Sequence, residues 1–121
     1  MVHNMKKTVL IIDDENDLCE LISMVLEREG FLVDCACNLA EAMFKLNVHP
    51  DIVLLDNNLP DGTGLDFLQM HPVDFMGSHV VLISADPSME LRERAAVEGI
   101  QDFLAKPFSM FKMKEIIKRV A

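Results

Sequence analysis

The chain has 121 residues, half of them hydrophobic, and a net charge of −9. That length supports one buried core, and the composition is too apolar for disorder. The excess acid argues against nucleic-acid binding by this domain, which needs clustered Lys and Arg, and it suits a cation or a basic partner.

The elements alternate strand and helix five times. Thr8–Ile12 (TVLII) is a continuous β-rich apolar run, expected for a strand covered on both faces. Positions 16–29 follow with Leu18, Leu21, Ile22, Val25 and Leu26 as a helical stripe, closed by Gly30. Positions 31–36 form a second strand. Asn38, with Glu41 three residues on, caps a helix whose inner face is Leu39, Met43 and Leu46. Positions 51–55 (DIVLL) are the third and most apolar strand, and NNLPDGTG (57–64) is a turn-rich loop. A short helix begins near Leu65, and 71–78 reads as a loop. Positions 79–83 are strand four, 88–97 a polar helix and 100–105 strand five. Ser109 caps a last helix with Met113, Ile116, Ile117 and Val120 inward.

This alternation means βαβ units, a parallel sheet and helices on both faces. Strand order 2-1-3-4-5 places strands one and three at the switch point, where open α/β sheets bind ligands. Polar residues follow four of the strands there: Asp13-Asp14, Asp56, Ser84 and Lys106. Three carboxylates, a hydroxyl and an amine on one rim point to a divalent cation with a phosphoryl group.

Other residues carry less. Cys19, Cys35 and Cys37 are odd in number and lack framework spacing. Cys35-x-Cys37 on a strand puts both thiols on one side, where a buried thiol acts as a small hydrophobe. His3, His49, His71 and His79 have no zinc-like spacing and read as surface or loop residues. The methionines read as core filler, with Met89, Met110 and Met113 in reach of a partner surface. No apolar run approaches the ~20 residues that span a bilayer. MVHNMKK lacks a signal-peptide core, so a cytoplasmic chain without membrane contact is expected.

Four elements in order, IIDDE (11–15), DIVLLDNNLPDGTG (51–64), LISA (82–85) and DFLAKPF (102–108), resemble the receiver domain of two-component response regulators. The resemblance spans about residues 7–120 and implies one receiver domain over the whole chain, 1–121. The implied fold is the doubly wound, flavodoxin-like (βα)5 three-layer α/β sandwich. Asp56 would be the phosphoacceptor, taking a phosphoryl group from a phosphohistidine on a sensor kinase or phosphotransfer protein. Asp14 would bind Mg²⁺ directly, Asp13 through water and Asn58 through its backbone carbonyl, with Mn²⁺ able to substitute. Lys106, before a cis Pro107, would contact Asp56 and then the phosphoryl group, and Ser84 would donate its hydroxyl to it. Phe103 holds an aromatic switch position that many members fill with Tyr. Asn58 and Asp86 would flank the path of the water that removes the phosphoryl group. The outcome would be a switched surface over about 88–120 that controls an output domain or protein. Such a domain is not an enzyme in the usual sense, although phosphorylation from small donors and autodephosphorylation are expected. Two alternatives stand beside this: a pseudo-receiver that only binds protein, and an enzyme on a flavodoxin-like fold. The first usually loses a site residue and none is missing. The second needs a substrate cap or a phosphate-cradling loop, whereas Asp13-Asp14-Glu15 repels phosphate.

Overall fold

The computed structural model describes residues 6–86 and 88–121. His3 and the N-terminal stretch to Met5 lie outside the described residues. Five strands, β1 (Thr8–Ile12), β2 (Leu32–Ala36), β3 (Ile52–Asp56), β4 (His79–Ser84) and β5 (Asp102–Ala105), pair in parallel in the order β2-β1-β3-β4-β5. Five α-helices connect or follow them: α1 (Asn16–Arg28), α2 (Leu39–Lys45), α3 (Gly64–Met70), α4 (Met89–Val97) and α5 (Met110–Val120).

The alternation of side chains along each strand feeds two cores. Leu10 and Ile12 of β1, Val53 and Leu55 of β3 and Leu82 of β4 pack under α2, α3 and α4. Val9 and Ile11, Ile52 and Leu54, and Val81 and Ile83 pack on the other face under α1 and α5. The central strands therefore read as unbroken apolar runs, because neither face meets water. β2 is an edge strand, and its outer residues Leu32 and Asp34 are exposed.

Helix starts follow the polar residues that cap them. Asn38, Ser88 and Ser109 accept from the backbone N–H of Glu41, Leu91 and Lys112, each satisfying a donor the first turn leaves unpaired. Thr63 does the same for α3 through Asp66 N–H.

Several expectations need correction. β3 ends on Asp56 and β4 on Ser84, so both polar residues belong to the strands rather than following them. β5 begins at Asp102; Ile100 is buried in the turn, its N–H bonded to the Ala95 carbonyl. Within 71–78, Pro72–Phe75 forms a 3-10 helix that buries Phe75. On α2 the buried partner of Leu39 is Ala42, while Met43 faces outward. His79 is exposed, as expected, and opens β4, with Nε2 2.6 Å from Asp102 Oδ2. Met113 is core, but Met24, Met70, Met76 and Met89 are exposed, so among the described residues methionine is largely a surface residue.

Candidate functional site

The C-terminal edge of the sheet carries a pocket of opposed charges. β1 delivers Asp13 and Asp14, β3 ends on Asp56, β4 on Ser84, and Lys106 follows β5. Carboxylate oxygens of Asp13, Asp14 and Asp56 all lie within 4.8 Å of one another. Asp13 is fully buried and Asp56 is 2% exposed, whereas Asp14 is open to solvent. Two buried acids this close persist only if a cation sits beside them.

Lys106 supplies that charge. Its ammonium lies 3.0 Å from Asp13 Oδ2, 3.2 Å from Asp56 Oδ2 and 3.0 Å from Glu15 Oε2. Burial works against its charge, yet the hydrogen bond to Glu15 and the adjacent charges of Asp13 and Asp56 raise its pKa well above the ordinary lysine range. The backbone holds the same residue: Lys106 N–H donates to the Ser84 carbonyl at 2.9 Å, and the Lys106–Pro107 peptide is cis.

Asp56 is held from two sides. Its Oδ1 accepts from the Asn58 N–H at 3.1 Å and its Oδ2 faces Lys106. Burial nevertheless raises its pKa, assisted by the charge of Asp13; the Asn58 amide and Lys106 oppose the shift. The loop after it is fixed by Asn57, whose side-chain oxygen accepts from Leu65 N–H at 3.0 Å. Gly64 is needed there, because a Cβ would stand 2.4 Å from the Asp56 carbonyl oxygen. Asp61 in the same loop accepts from Leu39 and Ala40 N–H at the start of α2.

The donor set fits a hard divalent cation such as Mg²⁺, which takes oxygen ligands and keeps several waters. Asp13 Oδ1 accepts from Glu15 N–H at 2.9 Å. Asp13 Oδ2 is buried and makes no hydrogen bond among the described residues, its contact with Lys106 being one of charge without bond alignment. A buried carboxylate oxygen without a hydrogen bond beside two further carboxylates is the arrangement a metal ion completes.

Ser84 is 6% exposed, and its Oγ accepts from Asp86 N–H at 2.9 Å, leaving its proton available to another acceptor. Asp86 turns its carboxylate to Ser88, accepting from its N–H at 2.9 Å, and so secures the entry to α4. Phe103 pairs with Leu82 in the β4–β5 register and packs on the core, with the Arg92 guanidinium 4.9 Å from its ring centre. A small cavity lies between them, lined by Ser84, Asp86, Leu91, Arg92 and Phe103.

The structure thus brings Asp13, Asp14, Asp56 and Lys106 together, sets Asn58 against Asp56 through its amide, and places Ser84, Asp86 and Phe103 along one path toward α4. Sequence reasoning missed Glu15 as a third acidic partner of Lys106, and Gly64 as the residue that lets α3 approach Asp56. Glu15 was legible only as one more acid after β1, and Gly64 only as a turn residue.

Comparison with known proteins agrees with this geometry. The sequence model of the response regulator receiver domain matches residues 9–118. The chain is 36% identical over 114 residues to the "Probable transcriptional regulatory protein TcrX" of Mycobacterium tuberculosis, covering 93% of this chain and 47% of that protein. It is 34% identical over 119 residues to the phosphate regulon transcriptional regulatory protein PhoB of Escherichia coli, covering 96% and 51%. The chain thus spans about half the length of these relatives. The crystal structure of a CheY-like receiver domain protein from Methanospirillum hungatei superposes with a TM-score of 0.87 at 26% identity, over 95% of this chain and 93% of that one. With its sheet order, its acidic pocket and its relatives in agreement, the chain belongs to the response regulator receiver domain family of two-component signalling proteins.

Proposed function

We propose that this chain is one receiver domain that accepts a phosphoryl group on Asp56 and passes the event to an output through its α4-β5-α5 surface. The observation that carries this reading is the placement of Asp56. It is a buried carboxylate at a strand end, gripped by one backbone amide and one ammonium, beside two further carboxylates.

An oxygen of Asp56 attacks phosphorus, forming the P–O bond as the P–N bond to a kinase or phosphotransfer histidine breaks. The imidazole leaves with the bonding pair. Asp13, Asp14, Asp56 and the Asn58 carbonyl would hold Mg²⁺ or Mn²⁺, which when bound offsets the negative charge gathered on the phosphoryl oxygens. Lys106 already lies 3.2 Å from Asp56 and follows the charge as it moves onto the phosphoryl group. The Ser84 hydroxyl turns its free proton to a phosphoryl oxygen. Space opened by that movement lies next to Phe103, in the cavity the two residues share. The ring then enters, and helix α4 and strand β5 repack.

The donor is a sensor histidine kinase or phosphotransfer protein, and the receiver of the signal is an output domain or protein. PhoB and TcrX are transcriptional regulators by name, and this chain, with a net charge of −9, is expected to make no nucleic-acid contact of its own. Among the described residues no helix is long and apolar enough to cross a membrane.

The test is intact mass after incubation with acetyl phosphate, with and without Mg²⁺. One added phosphoryl group is expected in wild type with Mg²⁺, and none in Asp56→Asn. An unmodified wild type at saturating Mg²⁺ would overturn the reading.

A further inference from the structure

The cavity between Ser84 and Phe103 is bounded by a circuit of contacts that runs through the first turn of α4. Ser84 Oγ accepts from Asp86 N–H at 2.9 Å, and Asp86 Oδ1 accepts from Ser88 N–H at 2.9 Å. Ser88 is the N-cap of α4, and its carbonyl accepts from Arg92 N–H at 3.3 Å. The Arg92 guanidinium lies over the Phe103 ring, 4.9 Å from its centre. Phe103 closes the circuit on β5, where it stands opposite Leu82, two residues before Ser84. The other arginine of this helix is used differently. Arg94 reaches α3, with its guanidinium 2.8 Å from Asp66 and 3.5 Å from Gln69. Residues two apart on a helix point to different sides. Among the described residues the Arg92 side chain has no carboxylate and no hydrogen bond, and its contact is the face of Phe103.

We propose that Arg92 is a positioning residue: its guanidinium latches the Phe103 ring at the mouth of the cavity and so opposes the switched state. The inference rests on Asp56 accepting a phosphoryl group, as proposed above. A cation over an aromatic face is attracted by the negative charge of the ring's π cloud. Arg92 is exposed and Phe103 half-buried, so the two meet at the surface. A ring that turns into the cavity leaves water behind. The guanidinium does not follow it, because burying a charge with no acid beside it is costly. Inward movement of the ring therefore breaks the stack.

The latch also feels the phosphoryl site. When Ser84 Oγ moves toward a phosphoryl oxygen, the Asp86 amide bonded to it must shift. Asp86 holds Ser88, and Ser88 starts the turn that presents Arg92. The event that opens space for the ring thus loosens the group that holds the ring back. Arg92 thereby sets how much of the switched state exists before phosphorylation, and how much of the phosphoryl group's interaction is consumed in reaching it.

The experiment titrates folded wild type, Arg92→Gln and Arg92→Lys with beryllofluoride at saturating Mg²⁺, followed by amide NMR. Beryllofluoride is an anionic, tetrahedral stand-in for a phosphoryl group on a carboxylate. Gln and Lys form helix about as well as Arg, so α4 is preserved. Loss of a positive charge near an anion's site would by itself weaken binding. The latch predicts the opposite sign: Arg92→Gln should bind about three- to fivefold more tightly than wild type. Arg92→Lys keeps a cation for the ring and should stay within about twofold of wild type. In a Phe103→Leu background, which has no ring to hold, Arg92→Gln should no longer tighten binding. In the free protein, nuclear Overhauser contacts between the Phe103 ring and Ser84 should be stronger in Arg92→Gln than in wild type. Binding by Arg92→Gln that equals or falls below wild type would overturn the latch. So would Arg92→Lys binding as tightly as Arg92→Gln, or a gain that survives Phe103→Leu. Unchanged contacts in free Arg92→Gln would overturn it whatever Asp56 accepts. A wild type that fails to bind beryllofluoride would instead overturn the phosphoryl-accepting reading, so the two failures are told apart.

Discussion

The pocket acids are held together at a cost that single substitutions expose. Asp56 has a raised pKa because it is buried and next to Asp13, so the folded state binds its proton more tightly than the unfolded chain does. Stability then falls as pH rises from the ordinary carboxylate range through the raised native one, and the penalty persists at neutral pH. Metal-free Asp56→Asn is expected to be more stable than wild type by about 1 kcal/mol at pH 7. The gain should vanish below about pH 3, where both forms are neutral; urea unfolding at the two pH values reads this directly. Equal stabilities at pH 7 would show that Lys106 already cancels the burial cost. The two neighbouring acids should differ in turn. Asp14 is exposed and forms no ion pair among the described residues, while Asp13 Oδ2 is already 3.0 Å from Lys106. Asp14→Ala is expected to weaken Mg²⁺ binding by more than tenfold, about 1.4 kcal/mol, and Asp13→Ala by less. Titration calorimetry measures both, and equal losses would remove the distinction.

At the scale of elements, the site depends on how closely α3 approaches β3. Gly64→Ala forces a Cβ to within 2.4 Å of the Asp56 carbonyl oxygen and into Leu55. A loss of roughly 2–4 kcal/mol is expected, together with slower phosphorylation, because the loop that carries Asn58 must move. Normal stability would mean the helix shifts freely. Under the proposed function, coupling to the output would run through a second contact between elements. In Ser84→Ala, Asp56 is expected to phosphorylate still, while amide shifts over 88–120 on phosphorylation shrink well below those of wild type. Equal shifts would send the coupling by another route. Asp86→Leu should lengthen the life of the phosphoryl group, but the Asp86–Ser88 bond shows that it also loosens the start of α4. Asn58→Met is therefore the cleaner comparison. These contacts divide what the sequence could tell from what it could not. The caps Asn38 and Ser109 and the runs TVLII and DIVLL were legible because local chemistry and two-sided burial leave little choice. Met43 and Leu21, read as inward-facing, are exposed, because a helix stripe says which residues are apolar, not which of them the sheet covers. Glu15 and Gly64 act across 91 and 8 positions of chain, and nothing local marks a contact of that kind.

Across the whole molecule, charge and topology work to one end. A parallel sheet in the order β2-β1-β3-β4-β5 brings β1, β3, β4 and the turn after β5 to a common edge, and gathers four acids there, Asp13, Asp14, Glu15 and Asp56, around the single ammonium of Lys106. A divalent cation should therefore stabilise the fold as a whole by mass action, by about 2.7 kcal/mol at a concentration a hundred times its Kd. Thermal unfolding with and without Mg²⁺ checks this, and an unchanged Tm at millimolar Mg²⁺ would contradict a metal site. In the proposed function the covalent event falls on one side-chain oxygen among several neighbouring acids. Borohydride reduction after acetyl phosphate treatment measures this most directly, because an aspartyl phosphate is converted to homoserine while free carboxylates are untouched. Peptide mapping is predicted to find homoserine at position 56 alone. Homoserine at position 13 or 14, or none anywhere in protein that carries phosphate, would contradict the account.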